Sequence, residues 1–402
     1  MRVLQINAVY DKFSTGRTTK ELHHALIQED IESYVATPDA PSSKSGNFYI
    51  IGSNLDRKIH SLFSRVAGLQ GYFSKRATQR LIKWIEEIEP DIIHLRNLHS
   101  NYINIPLLLD YIGRHNISTV VTLHDSFFYT GKCVYYIESA CDKWMHSCGN
   151  CPALHRGNPS LFLDFSKKML SDKRKRFAAI KNLAIIGVSD WVTEDAKKSI
   201  LKGARIIKRI YNWIDLEVFT PNEKSENYDR EKFKILGVAM HWNEEKGIHI
   251  FHELAKILPD NCEITLIGEY KHLKELSDKI RYIPPLRDAK ALANYYANSD
   301  VFLNPTMQET FGKTTAESLS CGTPVIAYRS TATPELLGND GKCGYLTDEN
   351  SAQSYLQLIT EIMKRQKQDF QEQCRNRARL LFDKKTNVKA YIDLYKELTQ
   401  DE

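Results

Sequence analysis

No run in this chain approaches the ~18 uncharged apolar residues that a membrane-crossing helix needs; the best stretch, residues 103–112, is interrupted by Asp110. A bilayer-spanning protein is not expected. The first residues lack the basic segment, long apolar run and small-residue cleavage site of a secretory leader. Met1-Arg2-Val3-Leu4-Gln5-Ile6-Asn7 passes straight into an apolar alternation, so a cytoplasmic protein is expected. An excess of one charge is missing too: 55 Lys and Arg against 50 Asp and Glu leave a net +5 over 402 residues, too dilute for a dedicated nucleic-acid binder. Nor is there a Gly-x-Gly-x-x-Gly run. Ser14-Thr15-Gly16-Arg17 offers a single glycine, and nicotinamide-dinucleotide binding loses its main support. Cysteine is modest at eight residues, and Cys262, Cys321, Cys343 and Cys374 lie far apart, as reduced buried thiols do.

What is present points to a folded enzyme-sized chain. Hydrophobic residues make up 42% and charged residues 26%, enough to bury a core and to exclude a disordered polymer. The length is two to three times a usual domain of about 150 residues, so two domains are expected. Short β-branched runs recur, most of them followed by helical periodicity: residues 3–6 then 18–28, 92–95 then 105–115, 119–123, and 184–188 then 193–200. Such alternation implies an α/β fold with parallel strands joined by helical crossovers. After Pro221 a polar segment, 222–230, precedes a restart of the pattern at 234–239, 263–268, 300–303 and 324–328. The reading is two Rossmann-like domains facing across a central cleft, residues 1–218 and 219–384. A C-terminal helix, 385–402, carries a stripe of Val388, Tyr391, Ile392, Leu394, Tyr395 and Leu398. It is able to pack on either domain, a return onto the first included. In open α/β sheets ligands sit beyond the carboxyl ends of the strands, which places the substrate in the cleft.

The most informative stretch runs from Asn304 to Pro324. A strand leads into a loop ending Phe311-Gly312, a helix opens near Gly312 and runs to Ser320, and the next strand starts at Pro324. Backbone N–H groups of Gly312, Lys313 and Thr314, at the positive end of the helix, make a site for a diphosphate. Glu309 before the helix and Glu317 two turns in can face a sugar and a ribose. As an isolated pair they read better as a cap and a solvated surface charge.

The spacing Glu309-x7-Glu317 followed by Cys321-Gly322-Thr323-Pro324-Val325 resembles glycosyltransferase family 4, and the resemblance extends over most of the chain. His241-Trp242-Asn243-Glu244-Glu245-Lys246-Gly247 is similar to the family's Lys-Gly loop, which implies that Lys246 binds the donor diphosphate. The family's usual Arg five residues earlier is His241 here. Thr122-Leu123-His124-Asp125 ends a strand where the family often has a His against the transferred sugar, which implies His124. Gly16 falls where the family has a glycine-rich loop near the donor phosphate. Tyr211-Asn212-Trp213-Ile214-Asp215 resembles the family's turn before the linker, read as a hinge. The resemblance implies a GT-B fold and metal-independent, retaining transfer of a sugar from a nucleotide-diphosphate sugar to a hydroxyl of a glycan or lipid-linked oligosaccharide precursor, in surface polysaccharide biosynthesis. It assigns catalysis to Glu309, His124 and Lys246, and donor binding to Gly16, His241, Phe311, Gly312, Lys313, Thr314 and Glu317. Two other readings stand beside it. One is a GT-B enzyme with a soluble acceptor, and the other a catalytically silent sugar-nucleotide-binding subunit, which His241 favours.

Cys133, Cys141, Cys148 and Cys151 crowd into nineteen residues. Only the last two form a Cys-x2-Cys pair, so a structural zinc, labile disulfides and buried free thiols all remain open, with His146 and His155 as substitute ligands. The segment 129–152 resembles an insertion in family members of the colanic-acid and capsule type, which implies a loop shaping the acceptor side. The basic run 167–181 and the basic, aromatic region 56–84 read either as solvated faces or as peripheral contact with an anionic membrane at the inner face of the cell membrane.

Overall fold

The computed structural model describes residues 1–39, 47–221 and 232–400. It holds two sheets in which the recorded strand pairings are parallel. The first contains β1 (Arg2–Ile6), β2 (Glu32–Thr37), β3 (Phe48–Ile50), β4 (Ile92–Leu95), β5 (Ser118–Leu123), β6 (Leu183–Gly187) and β7 (Ile206–Arg209), in the order β3-β2-β1-β4-β5-β6-β7. The second contains β8 (Phe233–His241), β9 (Cys262–Glu269), β10 (Ile280–Ile283), β11 (Val301–Asn304), β12 (Val325–Tyr328) and β13 (Gly344–Thr347), in the order β10-β9-β8-β11-β12-β13. Both are Rossmann-like. β4, β5, β6 and β11 are buried along their whole length, as central strands covered on both faces must be, and their sequences are correspondingly apolar.

Strand order reverses between β1 and β4 in one sheet and between β8 and β11 in the other. At such switch points the loops leave in opposite directions and open a crevice at the carboxyl ends of the strands. The loops after β8 and β11 are the ones carrying Lys246 and Glu309.

The chain divides into two compact units, Met1–Ile210 with the residues from Val388 onward, and Tyr211–Asn387. The boundary expected at 218/219 thus falls inside the second unit, and the polar segment used to place it lies outside the described residues. Tyr211–Val218 are tied into the second unit by specific bonds. Tyr211 donates its hydroxyl to Glu335 at 3.0 Å and packs its ring edge-on to Phe382. The Arg375 guanidinium donates to the carbonyls of Leu216 and Phe219 at 2.7 and 2.6 Å.

The C-terminal helix, Lys384–Thr399, joins the first unit from Val388 onward. Its Tyr395 hydroxyl lies 2.7 Å from His94 Nδ1, and Tyr391 bonds Thr122, which bonds His94 Nε2 at 2.7 Å. A histidine in the middle of a buried strand would otherwise bury two polar nitrogens without partners, at a cost of about 1–3 kcal/mol each. Here the helix supplies one partner directly and orients the other.

Candidate active site

The second unit's site is built on two loops that interlock. After β8 the chain makes a short turn in which Asn243 Oδ1 accepts from the Lys246 N–H at 2.9 Å. Gly247 then adopts φ +74°, and a Cβ there would stand 2.5 Å from Pro305 Cγ. Only glycine permits both the left-handed turn and the approach. With the two loops in contact, Lys246 Nζ reaches Glu309 Oε1 at 2.8 Å. Lys246 is one-third exposed and Glu309 about one-fifth, so the pair is only partly shielded from solvent. Gly247→Ala is expected to lose about 1–3 kcal/mol of stability and to weaken donor binding as Lys246 is displaced; unfolding and ligand titration check it, and an unchanged variant would show the contact to be slack.

Glu309 is held from its backbone. Its N–H donates to Thr331 Oγ1 at 2.9 Å, and the Thr331 hydroxyl donates back to the Glu309 carbonyl at 2.8 Å. Thr331 does this at φ +47°, a strained conformation for a β-branched residue. Three residues after Glu309, Gly312 at φ +88° turns the chain into the helix Lys313–Ser320. The N–H groups of Lys313, Thr314 and Thr315 have no acceptor within the helix and, with the macrodipole, form an anion-attracting end. Asn304 at the end of β11 braces that turn by donating to Thr315 Oγ1 at 3.0 Å.

The other expected donor residues of this unit are placed less simply. Glu317 is no surface charge: it is buried and accepts from the Tyr296 hydroxyl at 3.3 Å. Phe311 is buried, with Phe382 at 5.5 Å and Tyr211 at 6.2 Å. Its side chain is therefore core, and any donor contact at this position falls to the backbone. His241 Nδ1 lies 2.6 Å from Glu269 Oε2 on the neighbouring strand, both well exposed, so its partner here is a carboxylate.

In the first unit His124 follows β5. Its Nε2 lies 3.1 Å from Nη2 of Arg96. Because a guanidinium can only donate, that nitrogen accepts and the proton sits on Nδ1. Burial, reinforced by the charge of Arg96, holds the His124 pKa well below the usual histidine range. Arg96 is itself buried and donates to Thr18 Oγ1 at 2.7 Å and Gln5 Oε1 at 3.2 Å. Beside it His99 Nε2 meets Asp125 Oδ2 at 2.8 Å. Arg96, His99 and Thr331 escaped the sequence reading; the signal that could have found them is that each lies just beyond the carboxyl end of a strand, namely β4 and β12. Gly16, expected in a loop near the donor phosphate, lies in the first turn of the helix Phe13–Gln28 after β1, and a Cβ there would stand 3.2 Å from the backbone of Tyr10 and Asp11. It is small because residues 9–11 fold over it.

The four clustered cysteines line one small cavity with Lys132 and Trp144, and all are free thiols. A hydrogen bond from Cys133 draws the Cys151 thiol down to about 6 and pushes Cys133 up. Among the described residues no group of three or more His, Cys, Asp or Glu side chains is placed to hold a metal ion. Of the three readings left open by their spacing, the structure shows them as free thiols, and His155 bonds the Ser160 carbonyl at 2.7 Å. The loop is organised by Lys173, whose ammonium donates to the carbonyls of Phe127, Thr130 and Gly131. That lysine belongs to the basic run expected to be a charged surface, and it is buried.

The family model described as "Glycosyltransferase Family 4" matches residues 15–218, and that described as "Glycosyl transferases group 1" matches residues 220–381. The chain belongs to glycosyltransferase family 4. It is 24% identical over 381 residues to the glycosyl transferase WcaC of Escherichia coli (strain K12), a protein named for colanic acid biosynthesis, covering 89% of this chain and 90% of that one. Among solved structures, sucrose-phosphate synthase from Thermosynechococcus elongatus superposes with TM-score 0.73 at 15% identity over all of both chains. Anabaena HepE in complex with UDP superposes with TM-score 0.65 at 14% identity over 99% of this chain and 100% of that one. These likenesses establish the GT-B fold. No helix among the described residues is long and apolar enough to cross a membrane.

Proposed function

We propose that this glycosyltransferase moves a sugar from a nucleoside-diphosphate sugar to a hydroxyl of a polysaccharide or lipid-linked glycan precursor, with retention at the anomeric carbon. The observation that carries it is the Lys246–Glu309 pair, set three residues from the N-terminal end of the helix Lys313–Ser320. In the transfer the bond from the anomeric carbon to the diphosphate oxygen breaks and a bond to the acceptor oxygen forms. Negative charge grows on the departing diphosphate and positive charge on the sugar ring. Lys246 and the helix N–H groups meet the first, and the Glu309 carboxylate meets the second. The acceptor's proton leaves with the diphosphate, so no side chain is required as a base. His124, neutral with its Nδ1 proton outward from Arg96, is a hydrogen-bond donor for a sugar hydroxyl. WcaC, named for colanic acid biosynthesis, supports the polysaccharide context.

The test is a thermal-shift screen against UDP, GDP, ADP and dTDP and their common sugars, followed by product analysis. At a hundredfold excess over Kd a native-state ligand adds about 2.7 kcal/mol, a shift of several degrees for a unit of this size. One base is expected to dominate, and the product's anomeric linkage by NMR is expected to match that of the donor. A protein whose midpoint none of these ligands moves would overturn the donor reading. Binding without transfer to any lipid or soluble glycan acceptor would favour the silent-subunit reading, toward which the Glu269-paired His241 points.

A further inference from the structure

The helix Asn54–Ala67 is inside out. Its buried positions are His60 and Ser64, both polar. Leu55, Ile59, Leu62, Phe63 and Val66 point outward, between 40% and 66% exposed. At ~100° per residue these five fall within an arc of about 100°, a continuous apolar stripe. Ordinary amphipathic helices bury that stripe. The patch does not end with the helix. Leu161, in the loop before the helix Ser166–Ala178, donates its N–H to the Arg65 carbonyl at 2.7 Å, and Leu161, Phe162 and Leu163 are 48–73% exposed. Two chain segments distant in sequence thus present one apolar surface, the kind that marks an interaction site.

We infer that this face docks on an anionic lipid bilayer, with the helix lying in the plane of the interface. The charge around the patch decides the occupant. Between residues 53 and 80 there are six bases and one acid, Asp56, and that acid is spent on the Ser53 cap. Lys58 and Arg65 are exposed on one flank of the stripe. Phe73, whose ring meets Phe63 at 5.5 Å, leads into exposed Lys75 and Arg76. An apolar face rimmed by basic residues matches an anionic headgroup layer over acyl chains. A second copy meeting this face about a two-fold axis would set like charges against each other.

The placement suits the proposed reaction. On the Lys58 side of the stripe, Asn54, Arg57, Lys58 and Ser61 line an open cavity of about 500 Å³ beyond the ends of β1 and β2. A headgroup at the bilayer surface lies beside that cavity while its chains stay in the membrane. The inference therefore extends the reading of a lipid-linked acceptor, and the two are separable by experiment.

The experiment is vesicle flotation of the full chain, without donor or acceptor, on phosphatidylcholine vesicles with and without about a quarter phosphatidylglycerol. The wild-type protein is expected to float with the anionic vesicles only. The variant Ile59→Ser/Leu62→Ser/Phe63→Ser should lose about tenfold in partitioning with its melting temperature unchanged, because these side chains are exposed. Lys58→Glu/Arg65→Glu should lose a similar amount by a different route, and Leu380→Ser, an isolated exposed residue of the second unit, should lose nothing. The proposal is overturned if the wild type stays unbound, if both multiple variants float as well as it does, or if light scattering shows a dimer that the triple substitution dissolves. Donor thermal shifts measured on the same variants should be unaltered; their disappearance in the wild type would count against the transferase reading and leave the docking result standing.

Discussion

Glu309→Gln is expected to lower kcat by about a hundred- to a thousandfold, the range found when one preorganised electrostatic group is removed from a transition state, while donor affinity holds or rises. The asymmetry follows from the Lys246 contact. Glutamine keeps the shape of the side chain but not its charge, so the developing positive charge on the sugar ring loses its counter-charge. Lys246, 2.8 Å from the carboxylate in the free protein, is released from a partner that competes with the donor's diphosphate. The counterpart is Lys246→Met, which removes a group that meets the diphosphate in both ground and transition states and is expected to weaken donor binding and kcat together. Steady-state kinetics with calorimetric donor titration separates the two. An equal loss of binding and turnover in Glu309→Gln would remove its transition-state role and recast it as a positioning partner of Lys246.

The parts of this arrangement that could be read beforehand are those written in local sequence. The central strands are continuous apolar runs because parallel strands are covered on both faces, and the helix at Lys313–Ser320 announced itself by the glycine before it. The inner strand β2 and the edge strands β3, β7, β10 and β13 were not anticipated; for the edge strands the reason is exposure. One or both of their faces are only half buried, which dilutes the apolar signal. Pairings across long sequence separations were equally silent. Nothing local says that Gly247 packs on Pro305, or that Thr331 grips Glu309 from 22 residues away. Motif adjacency did not disclose that the Phe311 ring is buried against Phe382, or that Gly16 packs under residues 10 and 11. The basic run around Lys173 shows the same difficulty: charge in a sequence does not disclose that an ammonium is buried under three carbonyls. In the region 56–84 the mixture of basic and apolar residues is legible in the sequence, but which face of its first helix turns outward is fixed only by the fold.

The first unit is expected to unfold steeply as pH falls from about 7 to 5. Four of its histidines are held as neutral rings by burial: His23 and His60 are pushed down to about 4, and His94 and His124 well below their ordinary range. Each spends a ring nitrogen on a partner, Ser33 for His23, Ser74 for His60, Thr122 and Tyr395 for His94, and Arg96 for His124. An unfolded histidine takes up a proton near 6.5, whereas these remain unprotonated in the fold until much lower pH. Within that window unfolding binds protons, so stability is complete above about 6.5 and declines as pH drops toward 4. Each histidine contributes about 1.4 kcal/mol per pH unit, and four acting together remove about 5 kcal/mol over one unit, comparable with the whole stability of a typical domain. Most carboxylates titrate below this window, which lets the histidine contribution be read alone. Melting temperatures measured across pH 7.5 to 5.0 should fall by many degrees, with hydrogen exchange placing the loss in β1, β4, β5 and the C-terminal helix. His60→Gln should flatten the dependence by about one proton, since glutamine can keep the Ser74 bond and does not titrate. A midpoint that stays constant from pH 7 to 5 would mean that these rings are protonated in the fold, and the assignment of His124 as a neutral donor would fall with it.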